Sequence, residues 1–162
     1  MASVQIILNA FRRKPLEEVL PAAREAGVAI IARVPLASGL LSGRYDESTT
    51  FAADDHRTFN RAGAAFDVGE TFAGVPFEVG VAAAREVAAI LPEGSSATTL
   101  QLALRLILDQ PGVTTVIPGA RNASQAESNV AAADLPPLTD EQLARFEEIY
   151  DQSIRTHVHD RW

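Results

Sequence analysis

The stretch that decides the fold is "VTTVIPGARNASQAESN", residues 113–129. Its first five residues form an apolar run that reads as a strand and stops abruptly at Pro118-Gly119. Arg121 follows, and then a small polar segment able to open a helix, expected over residues 124–132. A helix N-terminus carries about half a positive charge and free N–H donors. An arginine just before it adds a fork of donors suited to a phosphate monoester. The stretch is therefore either an anion site or an ordinary strand-to-helix turn, and the rest of the chain has to decide.

Working outward, residues 4–8, "VQIIL", read as a short strand with Asn9 at its C-terminal end. Pro15 suits the first turn of a helix, where its missing N–H costs little. Leu16, Val19, Leu20 and Ala23 then share one face at helical spacing. Gly27 is a suitable C′ residue, and residues 28–34, "VAIIARV", read as a buried strand ending at Pro35. Strand, helix and strand in so short a span make a βαβ unit, which implies parallel strands.

Residues 36–75 break this pattern. They are polar, charged and glycine-spaced, and excursions of this length in compact domains are usually functional or mobile. Residues 77–91 have helical composition and stop at Pro92, and "EGSSATT" is a linker ending in N-cap residues. Leu100, Ala103, Leu104, Ile107 and Leu108 form the clearest helical stripe, closed by Pro111-Gly112. Thr139 and Gln142 suit a capping box for a last helix with Leu143, Phe146, Ile149 and Tyr150 on its apolar face. The tail "RTHVHDRW" has no usable periodicity. Three strands alternating with helices give an α/β protein, with a doubly wound sheet and a (β/α)₈ barrel both open at this point.

Composition narrows the function classes. The chain has 162 residues, 47% hydrophobic and 22% charged, which suits one domain with a real core. A formal net charge of −7 argues against nucleic acid and anionic membrane as partners. Without cysteine there is neither disulfide nor thiolate chemistry, which fits a cytoplasmic setting. No apolar run reaches the roughly 18 residues of a membrane span. The first residues lack the basic region of a signal peptide and run straight into a strand, so a preceding segment is expected.

Two loops stand out as chemistry. "PLASGLLSGR", residues 35–44, and "PGARNASQ", residues 118–125, both follow strands, and α/β folds bind ligands at the C-terminal ends of parallel strands. Glycine lets backbone N–H groups approach a phosphate. Gln125 and Asn129, one turn apart, can present amides to a heterocycle edge. Any one of Gly39, Gly43 or Gly119 alone reads as a turn residue; the two loops on neighbouring βα units favour a phosphate site. His157, His159 and Asp160 lack a third ligand set, and Asp54, Asp55, His56 and Arg57 read as a salt-bridged loop. "FRRK" is too short a basic run for nucleic acid, and no P-loop, G-x-S-x-G or G-x-G-x-x-G is present.

In this order, "VQIILN", "GVAIIARVPLASGLLSGRY" and "VTTVIPGARNASQAESN" resemble the C-terminal half of the aldo-keto reductases, and the likeness extends over "DDHRTFNRAGAAFDVGETFAGV" and "TTLQLALRLIL". The resemblance implies a partial (β/α)₈ TIM barrel. Its three parallel strands would be the sixth to eighth of the family fold, residues 1–162 forming one incomplete domain without the N-terminal half. It implies an NADP-dependent oxidoreductase that reduces aldehydes or ketones by hydride transfer. The loop with Pro35, Leu36, Gly39, Leu41 and Gly43 would lie against the pyrophosphate. Gly119 and Ala120 would deliver Arg121 to the 2′-phosphate, Gln125 and Asn129 would flank the adenine, and Gln5 would contact the nicotinamide carboxamide. Two positions depart from the family pattern: Leu8, taken as the place of an aromatic residue that stacks on the nicotinamide, and Ser128, where many members have a glutamate. The family's catalytic Asp, Tyr, Lys and His come from the N-terminal half and have no counterpart here, since Tyr45 and Tyr150 lie in other segments and the only lysine is Lys14. The chain alone is expected to be inactive, with the inward faces of Val4, Ile6 and Ile31 left unpacked and self-association through open barrel edges. The alternatives are a non-catalytic nucleotide-binding module and a phosphosugar-binding barrel fragment.

Overall fold

The computed structural model describes residues 2–161. Three parallel strands form one sheet in the order β1-β2-β3: β1 Ser3–Ile7, β2 Ala29–Arg33 and β3 Val113–Val116. Gln5 lies opposite Ile31 and Ile7 opposite Arg33, while Ile31 lies opposite Thr115. A bulge falls between Ile30 and Ile31 on the β3 side. The α/β reading and the parallel, adjacent strands expected from sequence are what the structure has.

Strand alternation gives the sheet two unlike faces. Val4, Ile6, Leu8, Ile30, Ala32, Val113 and Val116 pack with Leu20 and Ala23 of α1 (Val19–Glu25) and Ile107 of α4 (Thr99–Leu108). The opposite face carries Ser3, Gln5, Ile31, Arg33 and Thr115, exposed or half-buried, and at its C-terminal end the buried Ile7. This corrects the expectation that Val4 and Ile6 face the barrel interior. With a period of two, they cannot share a face with Gln5, and they point to the helices.

A larger core lies beside the sheet. Residues 36–43, α3 (Phe77–Ala88), α4, α6 (Asp140–Ile149) and the C-terminal tail meet there through Leu40, Leu41, Phe72, Val81, Leu106 and Phe146. Two of these helices, α4 and α6, start with capping boxes, Thr98 with Gln101 and Thr139 with Gln142. In α3, Gly80 is required by close packing, since a Cβ there would stand 2.5 Å from Leu40 Cδ1. Three expectations are adjusted. The helix at Pro15 is a short 3₁₀ turn, Lys14–Leu16, before α1, and Val19 is exposed. α4 also buries Leu102 and Leu106, because it is covered by the sheet on one side and the larger core on the other. The tail is ordered helix: a π-turn, Tyr150–Ile154, leads into α7 (Arg155–Val158), with Ile154 and Val158 buried.

Candidate functional site

At the C-terminal end of β2 the chain turns sharply. Val34, Ala37 and Ser38 have φ of 52°, 47° and 55°, and Gly39 has φ of 96°. Side chains at such angles are strained by about 1–3 kcal/mol each and persist only when their surroundings hold them. A second left-handed turn, Phe72 (φ 53°), Ala73 (φ 58°) and Gly74 (φ 77°), provides the hold. Ser38 Oγ donates to the Glu70 carbonyl (3.1 Å) and accepts from the Phe72 N–H (3.1 Å). Among the described residues, all five non-glycine residues with positive φ thus lie in or beside two turns that one hydroxyl joins.

The long excursion supports the same loop. Asp55 caps α2 (His56–Phe59) by accepting the Arg57 N–H (2.9 Å) and also grips the Arg57 guanidinium (Nε, 2.8 Å). That bond holds the Asp55 carboxyl well below the usual carboxylate range. Arg57 Nη1 donates to Tyr45 Oη (2.6 Å), and a Cβ on Gly39 would stand 2.4 Å from that oxygen. Tyr45 therefore covers one side of Gly39, and the polar run Asp55-Arg57-Tyr45 braces the loop from behind. Leu41 and Pro35 are buried, so their side chains are closed off from the surface, while Leu36 is half-buried. Gly43 (φ 70°) packs on Thr99 at the start of α4.

At the C-terminal end of β3, Gly119 and Ala120 are exposed and lead to α5 (Ala123–Val130). Asn122 caps that helix by accepting the Gln125 N–H (2.9 Å), and Gln125 Oε1 accepts the Arg121 N–H (2.7 Å). Asn129 is buried and donates to the Gly119 carbonyl (3.2 Å). Gln125 and Asn129 thus shape the turn, and each keeps part of its amide for another partner. α4 ties the two loops together: Thr99 touches Gly43, and Gln101 Nε2 donates to the Ser128 carbonyl (3.2 Å).

These residues fit an anionic nucleotide group. A Cβ on Gly119 would meet nothing within 4 Å, so the turn is open to an approaching group. The cap leaves the first-turn N–H groups of Ala123 and Ser124 available. The exposed Arg121 guanidinium makes no hydrogen bond or ion pair with any described residue. Gln5 is exposed on the open face of the sheet, in register with Ile31 and Thr115.

Leu8 does not belong to this surface. It is buried among Leu20, Ile30 and Ile107 on the helix side, away from the open face. The residue that projects from the open face at the end of β2 is Arg33, which sequence reasoning passed over. It forms a two-pronged ion pair with Glu70 (Nη1 to Oε2, 2.6 Å; also Nη2 to Oε1), and the bond holds the Glu70 carboxyl below its usual range. The available signal was a lone charge inside the apolar run "VAIIARV". Tyr45, Ser38 and Glu70 carried none, because their partners are distant in sequence. His159 is occupied structurally, with Nδ1 2.9 Å from Tyr150 Oη.

Comparison with known proteins gives the family. Residues 1–151 match the Aldo/keto reductase family. The chain is similar to aldo-keto reductase str7 of Strobilurus tenacellus, 34% identical over 139 residues, which cover 86% of this chain and 38% of that protein. It is similar to aldo-keto reductase YhdN of Bacillus subtilis, 29% identical over 126 residues, covering 78% of this chain and 35% of that protein. Among solved structures it resembles the glycerol dehydrogenase AKR11B4 from Gluconobacter oxydans, with a TM-score of 0.74 and 29% identity over 98% of this chain and 43% of that one. The chain thus spans well under half the length of these relatives. Over that span, the match and the parallel βα units lead to one conclusion: the chain belongs to the aldo/keto reductase family.

Proposed function

We propose that these 162 residues form the cofactor-binding side of an NADP-dependent aldo-keto reductase that reduces aldehydes or ketones to alcohols. The observation that carries the reading is Arg121: an exposed guanidinium, unpaired among the described residues, at a capped helix N-terminus beside an open glycine turn. That arrangement suits the 2′-phosphate that distinguishes NADPH from NADH. Residues 35–43 present backbone to the pyrophosphate, Gln125 and Asn129 border the adenine, and Gln5 meets the carboxamide on the open face. When bound, the cofactor supplies hydride from C4 of its nicotinamide. This chain's own residues bind and orient it; the proton donor and the groups that orient the carbonyl belong to the other part of a complete barrel. The setting is cytoplasmic, in keeping with the absence of cysteine and, among the described residues, of any helix long and apolar enough to cross a membrane.

The test is a titration with NADPH, NADH and a free sugar phosphate. NADPH binds tightest, and Arg121→Ala narrows its advantage over NADH by about 10-fold or more, the weight of one charge-assisted pair. Equal affinity for the two dinucleotides in the unmutated chain overturns the reading, and preference for the sugar phosphate replaces it with a phosphosugar site.

A further inference from the structure

The pair Arg33–Glu70 has no part in the site just proposed, yet it stands in the middle of it. Arg33 projects from the open face one step beyond Gln5 and Ile31, on the side from which residues 35–43 depart. Both partners are about a third exposed, with side-chain exposures of 33% and 29%. Arg33 is thus a cation on a ligand-facing strand end, whose two prongs are both filled by a carboxylate of the chain itself.

Glu70 sits where its movement would matter. Its carbonyl accepts from Ser38 Oγ, and two residues later the Phe72 N–H donates to the same oxygen. The turn that follows, Phe72 to Gly74, is left-handed, as is the loop around Ser38. The ion pair and the Ser38 bridge are two latches on the same two strained segments. Backbone strain concentrated in this way marks clamps and switch regions. A carboxylate and a phosphate oxygen place the same demand on a guanidinium, two acceptors in its plane. They are therefore direct competitors for Arg33. The charges that act on Glu70 besides Arg33 include Arg12, whose guanidinium packs against Gly69 and also favours the ionised Glu70 carboxyl.

We propose that Arg33 and Glu70 form an anion-exchange latch: a phosphate oxygen of the ligand replaces the Glu70 carboxylate on Arg33 and frees the turn at residues 70–74. The exchange is a change of partners with no covalent step. Arg33 thereby becomes a second phosphate-binding residue besides Arg121, and Glu70 becomes an internal competitor that weakens binding until a pyrophosphate-sized anion is present. This rests on the nucleotide-site reading above, and it is tested with a different probe so that the two can fail separately.

The probe is inorganic pyrophosphate, titrated calorimetrically into the 162-residue chain. Glu70→Gln keeps the shape of the side chain and removes its charge, so pyrophosphate binds about 10-fold more tightly than to the unmutated chain. The double variant Arg33→Met with Glu70→Gln loses the whole gain, and Arg33→Lys with Glu70→Gln keeps only part of it, since lysine has charge without the fork. Hydrogen exchange separates this from a merely structural pair. In the unmutated chain pyrophosphate speeds exchange at the Phe72 amide, whereas in Glu70→Gln that amide is fast from the start. If Glu70→Gln binds pyrophosphate no more tightly than the unmutated chain, or the Arg33→Met double variant keeps the gain, the latch is overturned. Because Arg121→Ala addresses the 2′-phosphate and leaves the Glu70→Gln gain intact, loss of NADPH preference alone refutes the cofactor reading and not the latch.

Discussion

Single residues explain why the loop after β2 is shaped as it is. Gly39 is held at φ 96° and its missing Cβ is replaced by the Tyr45 hydroxyl, so it is restricted twice, by conformation and by space. Gly39→Ala is expected to destabilise the fold by about 2–4 kcal/mol from strain and crowding together. Urea unfolding measures this; a midpoint unchanged from the unmutated chain contradicts the packing described here. The glycine itself was legible in sequence as a loop residue, but its reason was not. Tyr45 reaches it through a turn, and Arg57 fixes Tyr45 from twelve residues further on. The place of Arg121 between strand end and helix start was legible, because strand, Pro-Gly turn, arginine and helix start are contiguous. Arg33–Glu70 was not, since its partners are 37 residues apart across the least regular part of the chain. Leu8 shows a third case: its assignment rested on family position, and the two-residue period of a strand sends it to the opposite face.

At the scale of elements, carboxylates fasten the irregular segments to the regular ones, and this makes them acid-labile. Arg33 holds Glu70, and Arg57 holds Asp55, below the usual carboxylate range. For Asp109, burial pushes the other way but is outweighed by hydrogen bonds from Arg105 (2.9 Å) and the Leu138 N–H (2.9 Å). In all three the folded chain takes up protons only at lower pH than the unfolded chain does. Their contribution is therefore complete above about pH 5 and is lost as pH falls through about 4 and below. Urea midpoints should drop between pH 6 and pH 3, and Asp55→Asn or Asp109→Asn should flatten the drop; a midpoint constant over that range contradicts the sign. Sequence reading placed the three strands and both capping-box helices because period and cap chemistry are local. It placed Phe146 and Tyr150 on the last helix but found no periodicity in the tail after it, although Phe146, Tyr150, Ile154 and Val158 recur every four residues. In a plain α-helix that spacing drifts by about 40° per step. The π-turn at Tyr150–Ile154 takes up the drift and keeps all four buried.

The molecule as a whole is a sheet with a finished side and an open one. Helices cover Val4, Ile6, Ile30 and Ala32, whereas Gln5, Ile31, Arg33 and Thr115 lie on a face that a closed barrel would fill with side chains from other strands. β1 and β3 each pair on one side only, and such edges recruit further strands. Sedimentation of the 162-residue chain is accordingly expected to show dimers or larger species without carbonyl reduction, and a monomer that reduces aldehydes with NADPH contradicts both expectations. The central claim is that the ligand surface lies along the C-terminal ends of the three strands, with the helix side uninvolved. Mapping backbone amide shifts by NMR on addition of NADPH tests it most directly. The account predicts changes at Gln5, residues 36–43 and residues 119–125, with Leu20, Ala23 and Ile107 unmoved. Changes confined to the helix side, or none along the strand ends at saturating NADPH, would contradict it.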